Sequence, residues 1–102
     1  MIRLCEPVFD DVDRARVLDV LATGQLVQGA YVAQLEAALS RHLRQHVATC
    51  GSGTAALALA LRAVGVGPGT EVVVPGFTWP SVANVVLSLG ATLRVVDIDA
   101  ET

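Results

Sequence analysis

An apolar run, Val47-Ala48-Thr49-Cys50, meets a helix-forming run, Ala55 to Val64, across Gly51-Ser52-Gly53-Thr54. That order predicts a strand, a glycine turn and the start of a helix, and it confines the chain to an α/β arrangement. The first helical turn carries no Asp or Glu. Its free N–H groups and the positive end of its dipole are left for an outside anion, above all a phosphate. A second block, Val74-Pro75-Gly76-Phe77-Thr78-Trp79-Pro80, follows the next apolar run and places an indole just past a strand. A phosphate cradle beside a flat aromatic suggests a planar, phosphorylated ligand.

The rest of the chain supports this frame. A first helix is predicted over Asp10 to Ala22, with Asp10, Asp11 and Asp13 at its N-terminus and Thr23-Gly24 ending it. A second runs from about Tyr31 to Gln45, with Val32, Leu35, Leu39 and Leu43 on one stripe. Residues 1–46 thus form a helical segment. From residue 47 the pattern becomes βαβαβ: Val47–Cys50, a helix Gly53–Val64 closed by Gly65, strand Val72–Val74, a helix Pro80–Leu89 closed by Gly90, and strand Leu93–Val96. Uninterrupted Val/Leu strands alternating with helices predict a parallel sheet covered on both faces. Three such strands leave apolar edges and faces open. The expectation is therefore the N-terminal part of a larger domain.

Composition excludes several classes. With 102 residues there is room for one domain at most, and a net charge of −3 gives no electrostatic footprint for nucleic acid. The run Val72–Leu93 carries no charge, but Pro75, Gly76, Pro80, Asn84 and Gly90 break it into strand, turn and helix, so it reads as buried core rather than a membrane span. Cys5 and Cys50 are far apart and fit a reducing compartment, with the cytoplasm expected. All seven basic residues are arginines, and the chain has no lysine.

Other pairs of residues carry less. Gly51-x-Gly53-x-x-Ala56 formally matches a dinucleotide fingerprint, but the following strand ends in Pro75-Gly76 with no carboxylate for a ribose. His42 and His46 are four apart, a spacing that suits a metal, yet no third ligand is near. Asp97 and Asp99 read as a strand-end cap ahead of an acid–base pair. Trp79 has two readings of equal weight, a core anchor or a stacking face.

Six blocks in order carry a family resemblance. They are Gly29-Ala30-Tyr31-Val32-x-x-Leu35-Glu36, Ser52-Gly53-Thr54-Ala55-Ala56-Leu57, Gly67-Pro68-Gly69-Thr70-Glu71-Val72-Val73-Val74-Pro75, Phe77-Thr78-Trp79, Leu89-Gly90-Ala91 and Val96-Asp97-Ile98-Asp99. Together they resemble the DegT/DnrJ/EryC1/StrS family of pyridoxal-phosphate (PLP) aminotransferases. The resemblance implies the N-terminal part of the fold-type-I large domain, about the first quarter of such an enzyme. It implies that Gly53, Thr54 and Ala55 hold the PLP phosphate, that Trp79 stacks on the pyridine ring, and that the loop from Gly29 to Tyr31 lies near substrate. Gly51 stands where Ser or Asn is common in the family.

By the same resemblance, an amino acid, glutamate or glutamine, donates an amino group to a keto sugar or cyclitol, in a homodimer. The Schiff-base lysine of the family is absent from these residues, so no catalytic residue is assigned and the chain alone is expected to be inactive. Two alternatives stay open: a PLP- or PMP-dependent sugar dehydratase of the same family, and a non-catalytic anion-binding or dimerisation fragment.

Overall fold

The computed structural model describes residues 5–101 and divides them into two units, one up to Ala48 and one from Thr49 onward.

The first unit holds α1 (Asp11–Thr23) and α2 (Ala30–Leu43). Asp10 is the N-cap of α1: its Oδ1 accepts the Asp13 N–H at 2.8 Å while Asp13 Oδ2 accepts the Asp10 N–H at 3.2 Å. This reciprocal arrangement satisfies two donors that a helix start otherwise leaves open. Gly24 then ends the helix in the left-handed region at φ 69°, which glycine enters without steric cost. The helix predicted to reach Gln45 stops at Leu43, because Arg44 turns left-handed at φ 53°. Neither helix of this unit has a buried residue.

The second unit runs α3 (Gly53–Ala63), β1 (Glu71–Pro75), α4 (Ser81–Ser88) and β2 (Thr92–Val96). β1 and β2 pair in parallel, with Val72 opposite Leu93 and Val74 opposite Val95. The ladder is latched at both ends. Thr92 N–H donates to Thr70 O at 2.8 Å, and Gly76 N–H donates to Val96 O at 2.7 Å. Val74, Val86 and Ala91 form the buried core, with Leu61, Val66, Val72, Val82 and Leu93 packed against it. That core lies between one face of the sheet and the helices. The other face carries Val73, Val96 and a two-pronged ion pair in which Arg94 Nε and Nη2 donate to Glu71 Oε1 and Oε2 at 2.7 and 3.0 Å.

One expected strand does not form. Val47–Cys50 is extended, with Val47 and Thr49 half-buried and Ala48 and Cys50 exposed, but it joins no ladder among the described residues. The Val47 N–H goes instead to Ser40 Oγ at 3.2 Å, a contact at the end of α2. A strand needs a partner for its alternate N–H groups, and here a serine from the preceding helix takes the first. Among the described residues the sheet has two strands, β1 and β2, rather than three. No helix of the described residues is long and apolar enough to cross a membrane.

Candidate cofactor-binding site

α3 begins at the residues the sequence singles out. Ser52 is its N-cap, extended at φ −164° and ψ 161°, and no acidic residue stands in the first turn. Ser52 Oγ accepts the Ala55 N–H at 3.1 Å, and Ser52 O accepts the Ala56 N–H at 3.0 Å. This corrects one expectation: the Ala55 amide is already occupied by the chain's own serine. The N–H groups of Gly53 and Thr54, and the Thr54 hydroxyl, have no partner among the described residues. Ser52 Oγ keeps its proton to donate, since the capping bond uses only a lone pair. Four donors besides the helix dipole therefore remain at this corner: the Gly53 and Thr54 N–H groups and the Thr54 and Ser52 hydroxyls.

The glycines here are informative for what they do not need. Neither Gly51 nor Gly53 has a positive φ, so the backbone does not require glycine at either place. A Cβ added at either would meet nothing within 4 Å. The chain's own atoms thus give no reason for the missing side chains. Space that a methyl group would fill lies open beside unpartnered N–H groups, which is the arrangement a closely approaching oxyanion needs.

Trp79 precedes α4 and is 75% exposed, with Phe77 beside it at 87%. Among the described residues the indole is packed in no core. The segment that carries it is short and held. Gly76 is bonded to Val96, and Trp79 O accepts the Val82 N–H at 3.1 Å as α4 starts. α3 and α4 pack against each other, and neither has an acidic residue in its first turn. The ring-bearing segment leaves the carboxyl end of β1, which is where ligands sit in open α/β sheets.

The remaining candidates separate cleanly. Asp97 Oδ1 accepts the N–H of Ile98 and Asp99 Oδ1 that of Glu101, so both act as local turn caps after β2. His42 lies in the last turn of α2 and His46 beyond its end, and no group of three metal-ligating side chains occurs among the described residues. Tyr31 belongs to the first unit. Its hydroxyl donates to Asp19 Oδ2 at 3.0 Å, a bond that sequence spacing alone does not reveal because the partners lie 12 residues apart. That bond, then partial burial and the Asp19 charge, hold the Tyr31 phenol above its ordinary pKa.

The second unit thus combines a parallel β1–β2 pair, an acid-free glycine-and-serine helix start and an exposed indole past the carboxyl end of β1. The chain belongs to the DegT/DnrJ/EryC1/StrS aminotransferase family, whose pattern matches residues 7–102. It is 41% identical over 99 residues to the UDP-4-amino-4-deoxy-L-arabinose–oxoglutarate aminotransferase of Shewanella sediminis, covering 96% of this chain and 26% of that one. Among solved structures it is similar to Spr1654 of Streptococcus pneumoniae in its PLP form, classed as a sugar aminotransferase. There the TM-score is 0.86 and the identity 37%, over 99% of this chain and 26% of the other. It is also similar to 3-amino-5-hydroxybenzoic acid synthase, with TM-score 0.81 and 40% identity over 92% of this chain and 25% of the other. A dehydratase of E. coli, GDP-4-keto-6-deoxy-D-mannose-3-dehydratase with bound hydrated PLP, shares the fold at TM-score 0.82 and 24% identity. The fold is that of the fold-type-I PLP enzymes. The chain spans about a quarter of the length of these relatives.

Proposed function

We propose that this chain is the part of a PLP-dependent sugar aminotransferase that seats the cofactor's phosphate and covers its ring. The observation that carries the proposal is the open helix start at Gly53: unpartnered N–H groups, no side chain and no steric reason for the lack of one. The residues fit the group. The N–H groups of Gly53 and Thr54, the Thr54 hydroxyl and the Ser52 hydroxyl are donors for phosphate oxygens, and the α3 dipole favours the charge. Trp79 offers an exposed face for a pyridine ring. Ala55 contributes indirectly, by fixing the Ser52 side chain through its N–H.

When bound, PLP supplies an electron sink for moving an amino group between an amino acid and a carbonyl compound. The work of these residues is binding and orientation. The helix start anchors one end of the cofactor, and the indole fixes the plane of its ring. No lysine is present among the 102 residues, so the amine that would join PLP to protein is not supplied from here. The proposed donor is glutamate or glutamine and the proposed acceptor a keto sugar. The Shewanella relative's name, an oxoglutarate aminotransferase of an amino sugar nucleotide, supports both. A homodimer in the cytoplasm is proposed with them.

The test is PLP binding to the full-length polypeptide that contains this chain, comparing the unaltered protein with Thr54→Ala and Trp79→Ala. Each substitution is expected to weaken binding about tenfold, the effect of losing one charge-assisted hydrogen bond or one stacked ring. Unchanged affinity in both variants removes the site assignment.

A further inference from the structure

A groove of about 840 Å³ runs along α1 in the first unit. Val8, Phe9, Val17 and Leu18 wall it, with Asp13, Arg14 and Arg16 among them. The four apolar residues are all more than half exposed, as are Val12 and Leu21 of the same helix. α1 has no buried residue, so nothing among the described residues covers this surface. Contiguous apolar surface bordered by charge is the kind that proteins use for association.

The charges decide what fits it. Arg14 Nη1 is already paired with Asp11 Oδ1 at 3.1 Å. Asp13 uses Oδ2 to accept the Asp10 N–H at 3.2 Å, which leaves Oδ1 with its lone pairs. Arg16 forms no hydrogen bond or ion pair among the described residues, and the Tyr31 phenol feels its charge only as the weakest influence. The groove thus offers one unfilled acceptor and one unpaired guanidinium, three residues apart on one flank of the helix. An occupant of a single charge sign satisfies one of them and repels the other. An occupant that carries the same two groups in the opposite direction satisfies both.

That is the property of a surface facing its own copy across a two-fold axis, where residue i meets j and j meets i. We infer that the α1 groove is a self-association surface, on which α1 of a second copy lies antiparallel about a centre between Arg14 and Ala15. Arg16 then meets Asp13 of the second copy, and Asp13 meets its Arg16. Opposite charges facing each other in this way fix the register of an interface. The same register brings Val8 and Phe9 of each copy toward Leu21 and Val20 of the other, so the apolar wall is covered as the charges pair. The inference rests on the homodimer proposed above and adds the surface that forms it. It uses no residue of α3 or α4.

The test pairs two charge reversals in the full-length polypeptide, Arg16→Asp and Asp13→Arg. Each alone sets like charges opposite one another at both ends of the contact. Sedimentation of either is expected to show self-association about tenfold weaker than that of the unaltered protein. Mixed in equal amounts and left to exchange, the two variants regain both pairs. Heterodimers counted by native mass spectrometry are then expected to exceed about half of all dimers, the share that random pairing gives. Asp13 also serves the capping box, so Val17→Asp, which leaves that cap intact, provides a second reading and is expected to weaken self-association as well. Random pairing in the mixture, or self-association unchanged in the variants, overturns the inference and leaves the homodimer standing. Loss of the folded state in Val17→Asp shows that the protein's own chain covers the groove, and overturns it too. An unaltered protein that sediments as a monomer overturns both the inference and the homodimer. None of these readings depends on PLP affinity, so failure here is told apart from failure of the cofactor assignment.

Discussion

Ser52 Oγ lies 3.1 Å from the Ala55 amide nitrogen and accepts its proton, so the helix start proposed to grip a phosphate already uses one of its own N–H groups. The serine is both cap and donor. Replacing it with alanine is expected to cost about 1 kcal/mol of stability, the usual loss of an N-cap side chain. It is also expected to weaken PLP binding, because a phosphate donor goes with the cap. Ser52→Thr retains both roles and should rescue both. Thermal unfolding and cofactor titration of the three proteins check this together.

Gly53→Ala separates folding from binding. Nothing lies within 4 Å of the added methyl group and φ is not positive, so the substitution is sterically free in the chain itself. Alanine restricts the unfolded chain and suits a helix, and a gain of about 0.5–1 kcal/mol in stability is expected. If a phosphate approaches this backbone closely, the same methyl group obstructs it and PLP affinity falls. Raised melting temperature with unaltered PLP affinity would remove Gly53 from the site.

Tyr31 gives a pH signature. Its phenol is held above the ordinary value by the bond to Asp19, so the folded state keeps the proton more firmly than the unfolded one. The associated stability is fully present below the unfolded pKa of about 10 and is lost as pH rises through the folded value. Tyrosinate absorbance should therefore appear later in the alkaline titration of the native chain than in urea. Asp19→Asn should move the native titration earlier. Coincident native and unfolded curves would mean the bond does not persist in solution.

Val86→Ala tests the core. Val86 is 0% exposed and sits at the centre of a cluster of only a few side chains. Removing two methyl groups there is expected to cost about 2 kcal/mol. Arg94→Ala is the contrast. Its ion pair with Glu71 is well formed, but both side chains are largely exposed, and a loss below about 1 kcal/mol is expected. Urea melts of the two variants should show the difference in midpoint.

Much of this was legible in the residues. Glycines at 24, 65 and 90 marked helix ends because a left-handed residue there favours glycine, and all three adopt positive φ. The Val72–Val74 and Leu93–Val96 runs marked β1 and β2 because continuous Val and Leu runs favour a parallel strand, although the expected cover on both faces is absent among the described residues, where Val73, Val95 and Val96 are exposed. The acid-free start of α3 and the aromatic block before α4 were legible for the same local reasons. Distance in sequence hid the rest. The Val47 N–H finds Ser40, seven residues back, and no run of apolar letters reports that. Tyr31 finds Asp19 across a whole loop. Arg44 in a left-handed conformation ends α2 where its apolar stripe would have continued. The Ser52 cap was written in the sequence, but a serine beside two glycines reads equally as ligand donor and as cap, and geometry shows that it caps.

The latch between Gly76 and Val96 leaves Phe77 and Thr78 as the only slack before Trp79 is caught by the first turn of α4. The backbone that carries the indole is therefore held on both sides. If the indole stacks on the cofactor as proposed, the height of that stack is set by this short backbone rather than by a long loop. Lengthening that tether by even one residue would turn a fixed shelf into a loose flap.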